Sequence, residues 1–88
     1  MFETVEIKDV KVELGELIKL LRKREKLSQT QLASRLDVSR TTIQNLELGK
    51  NFTIDTFLKA LKELELLPDL FSEVKKRRTH ILNTKSLY

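Results

Sequence analysis

The chain has no cysteine and no tryptophan, and only two glycines and one proline in 88 residues. Without cysteine there is no disulfide framework, and nothing points to an oxidising compartment. One histidine, His80, cannot build a typical zinc site alone, so neither a metal nor a cofactor is expected. No apolar run approaches the roughly 20 residues of a membrane span. The opening MFETVEIKD is acidic and lacks the charged-then-apolar layout of a signal peptide, so a cytoplasmic location is expected. No nucleophile–base set, metal-ligand cluster or phosphate-cradling glycine loop is present, and an enzyme is not expected. Length alone allows one small domain.

Charge is plentiful and segregated. The net charge of +4 divides into −3 over residues 1–16, +5 over 17–53, −3 over 54–73 and +5 over 74–88. A basic block in the middle suits a polyanion partner, although solvated helix faces explain charge equally well.

Scarce punctuation and abundant aliphatic and charged residues predict a helical body. Leu14, Leu17, Ile18 and Leu21 recur at helical spacing and define a first helix over about 11–25. Ser28 with Gln31 forms a capping-box pattern that opens a second helix ending near Leu36. Ser39 caps a third that stops at Gly49, and Thr53 caps a fourth with Asp55 in its first turn. Pro68 suits the first turn of a fifth, in which Leu67, Leu70, Phe71 and Val74 keep helical spacing. That stripe is either intramolecular core or a dimer interface, or both. Lys75–Arg78 read as a solvated, dipole-favoured helix end, and His80 as an exposed tail residue. Thr4–Lys8 alternates as a strand does, and His80–Asn83 is apolar at its centre, so short strands are expected at the chain ends. The resulting division is an extended segment over 1–10, a helical domain over 11–78 and a tail over 79–88.

The stretch SQTQLASRLDVSRTTIQNLE (28–47) has two short helices separated by a tight break, which describes a helix-turn-helix. Leu32, Ala33 and Leu36 on one helix and Ile43 and Leu46 on the other supply its core, and Val38 plugs the turn. Ala33 is small because the helices cross closely there. Anchoring Ile43 and Leu46 leaves Arg40, Thr41, Gln44 and Asn45 on one outward stripe. Such a helix fits the DNA major groove: Arg forks onto guanine, Asn or Gln onto adenine, and a Thr methyl touches thymine.

LSQTQLA, VSRTTIQNLE and the closing GK stand at the spacing of the phage-repressor and Cro-like (Xre-type) helix-turn-helix family, and the resemblance covers about residues 14–66. It implies an all-α, five-helix lambda-repressor-like domain that binds double-stranded DNA, dimerises and represses promoters in a bacterium or phage. It further implies base contacts from Arg40, Thr41, Gln44 and Asn45. Phosphate contacts would come from Gln29, Lys50, Asn51 and Thr53, with Gln29 also bracing the recognition helix. Arg22 and Glu47 match positions that tie the first helix to the back of the recognition helix by a partly buried ion pair. Two positions depart from the family pattern, since Asp37 and Lys26 stand where glycine is usual. A second implied role, in the HipB-like antitoxin group, is to restrain a toxin protein while binding the antitoxin's own promoter.

Overall fold

A computed structural model describes residues 4–85. Its five helices are α1 (Ile7–Arg24), α2 (Gln29–Leu36), α3 (Arg40–Glu47), α4 (Ile54–Glu63) and α5 (Leu67–Lys85). No strand occurs among the described residues. The all-α, five-helix expectation holds.

The helix starts are built by side chains. Ser28 Oγ accepts from the Gln31 amide at 3.0 Å while Gln31 Oε1 accepts from the Ser28 amide at 2.7 Å. Ser39 Oγ takes the Thr42 amide at 3.1 Å and Thr53 Oγ1 the Thr56 amide at 3.2 Å. Each satisfies a donor the helix itself cannot pair.

The first four helices end in one way. Lys26, Asp37, Gly49 and Glu65 follow α1 to α4 at φ 60°, 57°, 73° and 64°. The amide after each returns to a carbonyl five residues back: Leu27 to Arg22, Val38 to Ala33, Lys50 to Asn45 and Leu66 to Leu61. This left-handed closure turns the chain sharply, and Leu27, Val38 and Leu66 pack against the core just beyond it.

The fully enclosed part of that core comes from α1 to α4. Ile18, Leu32, Ile43, Leu46, Leu61 and Leu64 are the largest side chains sealed from solvent. α3 packs on α1 and α2, and α4 on α2, whereas α5 packs on α4. Leu67 and Leu70 are half-buried against the core, but Phe71 and Val74 are exposed. The expected apolar stripe of the fifth helix is therefore split. The radius of gyration, 15.6 Å, exceeds the ~12 Å of a compact chain this long because α5 runs beyond the body.

Both described chain ends depart from expectation. Residues 4–6 have no regular structure, but α1 already begins at Ile7, which shortens the expected extended segment. Residues 4–8 are all exposed, so the alternation in Thr4–Lys8 has no covered face that would hold a strand. Glu6 then donates its amide to Asp9 Oδ2 at 2.9 Å and starts the helix. At the other end α5 continues through His80–Asn83 to Lys85, so the expected tail from residue 79 is helical as far as it is described. Nothing between Pro68 and Lys85 breaks a helix, and Lys75–Arg78 lie mid-helix instead of at its end. The parts of the expected end segments at residues 1–3 and 86–88 lie outside the described residues.

Candidate nucleic-acid interface

α2 and α3 meet through Leu32, Ala33 and Leu36 on one side and Ile43 and Leu46 on the other, all buried. Val38, half-buried, sits in the turn between them. Asp37 adopts φ 57° and ψ 46°, the left-handed conformation the sharp turn demands. With Ile43 and Leu46 sealed inward, Arg40 and Thr41 stand exposed on α3, and Gln44 and Asn45 are half-buried one turn later. The two amides line a cleft with Gln29 of α2 and with Glu16 and Lys19 of α1. Glu16 and Lys19 are not among the residues the sequence marks for this surface. Their only signal was a position on the polar face of α1, which does not say what that face overlooks.

A polar network fixes α3 from behind. Arg22 Nε donates to Glu47 Oε2 at 2.5 Å and Nη2 to Oε1 at 3.0 Å. Its Nη1 donates to the Leu27 carbonyl at 2.8 Å. Gln29 Nε2 also donates to Glu47 Oε1, at 3.0 Å. The Arg22 and Glu47 side chains are only 9% and 4% exposed. Two charges taken out of water need such a full set of partners. No buried side-chain nitrogen or oxygen among the described residues lacks one.

Gly15 adds a backbone contact. A Cβ at this position would stand 2.5 Å from the Glu47 carbonyl oxygen and 2.6 Å from that of Leu46. Gly15, Ile18 and Arg22 share one face of α1 (i, i+3, i+7), which presses on the last turn of α3. A glycine inside an apolar helical pattern was the available sign of this close approach.

Beyond α3, Gly49 makes the left-handed turn, and Lys50 and Asn51 follow it exposed, Asn51 with φ 46°. Thr53 is also exposed, and its hydroxyl is occupied in capping α4. Lys50, Asn51 and Thr53 lie together between α3 and α4. Gln29 stands at the start of α2, on the side where Gln44 and Asn45 line the shared cleft. Among the described residues no helix is long and apolar enough to cross a membrane.

Two short helices around a left-handed turn, the second backed by the first and by α1, define a helix-turn-helix DNA-binding domain. The family model for the helix-turn-helix domain matches residues 15–76, and the chain belongs to that family. The five-helix arrangement agrees with a lambda-repressor-like fold. No curated protein matches the chain.

Proposed function

We propose that this protein is a sequence-specific transcriptional repressor that binds a pseudo-palindromic operator as a two-fold dimer. The observation that carries the reading is the outward stripe of α3, whose orientation is held by the Arg22–Glu47–Gln29 network and by Gly15. Arg40, Thr41, Gln44 and Asn45 would read base edges in the major groove. Gln29, Lys50, Asn51 and Thr53 would hold phosphates and set the register, Thr53 chiefly through the amides at the start of α4. One such helix buries too little for tight specific binding, and two copies would set their α3 helices about 34 Å apart, one DNA turn. Selection of duplexes from a random pool tests this. An enriched, two-fold symmetric motif is expected, and a pool with no enriched sequence refutes it.

A second reading is the antitoxin role, favoured by apolar surface that DNA binding does not use. Val5, Ile7 and Val12 are each more than half exposed at the start of the chain. A stoichiometric complex with the product of a toxin-like neighbouring gene would establish that role.

A further inference from the structure

α5 carries an apolar row that nothing among the described residues covers. Phe71, Val74, Ile81 and Leu82 are 67%, 58%, 56% and 53% exposed. Single apolar residues on a surface are ordinary, but a row along one helix face marks an interaction site. Val74, Ile81 and Leu82 line one groove with Glu73, Arg77 and Arg78. Leu67, Pro68 and Phe71 line a second one at the α4–α5 corner.

We infer that this face is the self-association surface, occupied by α5 of a second copy lying antiparallel across a two-fold axis. The inference rests on the dimer reading above and assigns the interface within it.

Charge selects the occupant. On α5, Asp69 and Glu73 precede Val74, while Lys75, Lys76, Arg77, Arg78 and Lys85 follow it with no acid among them. A parallel copy sets basic halves together. An antiparallel copy sets each basic half against the partner's acidic half, so the helix is complementary to itself.

The positions also agree in detail. A two-fold axis perpendicular to the helices keeps each flank of one copy against the same flank of the other. Glu73 and Arg77 share a flank four residues apart, so an axis at the level of Lys75 sets Glu73 beside the partner's Arg77. The same axis brings Phe71 to the partner's Arg78 and Ile81 to the partner's Leu70, each within about one residue, or about 1.5 Å along the helix. A guanidinium over the Phe71 ring is a favourable contact, and that ring already attracts a cation, with Lys75 Nζ 5.9 Å from its centroid. Arg77 and Arg78 interrupt the apolar row. A purely apolar occupant would bury them unpaired, whereas a second copy brings the Phe71 ring to Arg78 and Glu73 to Arg77. The exposed pair of Glu73 with its own Lys76, at 3.3 Å, is weak enough to be shared or exchanged.

The test is sedimentation equilibrium of the full chain, wild type, Glu73→Arg and Arg77→Glu, each alone and the two variants mixed in equal amounts. Circular dichroism confirms that helicity is kept. The wild type should sediment as two chains. Each variant alone sets like charges together twice per dimer and should associate at least about tenfold more weakly. The mixture restores both opposite-charge contacts and should recover the two-chain mass. A monomeric wild type, variants that associate as the wild type does, or a mixture that fails to recover would each overturn the interface. A monomeric chain that still enriches a DNA motif would overturn this interface while leaving DNA recognition intact. A dimer through α5 that enriches no motif would do the reverse.

Discussion

Replacing Glu47 by leucine exposes how α3 is held. The substitution removes both acceptors of the Arg22 guanidinium, leaving it only the Leu27 carbonyl, and also strands the Gln29 amide. Arg22 is 7% exposed, so water reaches it poorly. Leaving one buried partner uncompensated costs roughly 3–5 kcal/mol. Arg22→Met should fall at the lower end of that range, because Glu47 keeps the Gln29 donor and Gln29 is half-buried. An 88-residue domain has a total stability of only about 4–13 kcal/mol. A urea slope of about 1 kcal/mol per molar then turns a 3 kcal/mol loss into a midpoint lowered by roughly 3 M. Arg22→Met/Glu47→Leu removes both charges and fills the space with apolar groups of similar size. The double variant should fall short of the summed single losses by at least about 2 kcal/mol. Urea denaturation followed by circular dichroism measures all four proteins. Losses that add within about 0.5 kcal/mol would refute the argument.

Gly15→Ala should destabilise by about 1–3 kcal/mol despite the better helix propensity of alanine, because the obstructing atoms are backbone carbonyls that cannot turn aside. A raised thermal midpoint would contradict it. Lys26→Gly and Glu65→Gly should each stabilise by about 0.5–1 kcal/mol by relieving a left-handed Cβ, whereas Gly49→Ala should destabilise. Chemical denaturation gives the sign in each case. On the selected operator, Gln44→Ala or Asn45→Ala should cost about 1–3 kcal/mol and relax preference at particular base pairs. Lys50→Ala should weaken binding across all sequences and lower the salt slope by about one. Identical profiles for the three variants would dissolve the division between base and phosphate contacts.

What could be read from the sequence was local. Ser28, Ser39 and Thr53 announce helix starts because a cap acts within three residues, and each caps the helix expected of it. Lys26 and Asp37 stood out where the family uses glycine, and both turn left-handed. Asn51 adopts the same region as a residue type that tolerates it, whereas Glu65 does so with no signal in its type. The chain ends depart from expectation for a related reason. Val5, Glu6, Ile7 and Lys8 alternate over a span too short to separate a strand from the first turn of a helix. The Glu6–Asp9 contact that decides the matter lies in the same few residues.

The site divides along the same line. The outward stripe of α3 follows from helical periodicity once Ile43 and Leu46 are buried. What holds that stripe spans the sequence: Gln29 and Glu47 are 18 positions apart, Arg22 and Glu47 are 25 apart. Periodicity says nothing about such pairs: the Arg22–Glu47 pair and the Gln29 brace were implied by the family resemblance, and the close packing at Gly15 is defined only when α1 and α3 are seen together. α5 presents the opposite case. Its spacing shows an apolar face, but spacing cannot say where the body of the domain stops covering it. The covering ends between Leu70 and Phe71, and Phe71, Val74, Ile81 and Leu82 beyond that point are exposed.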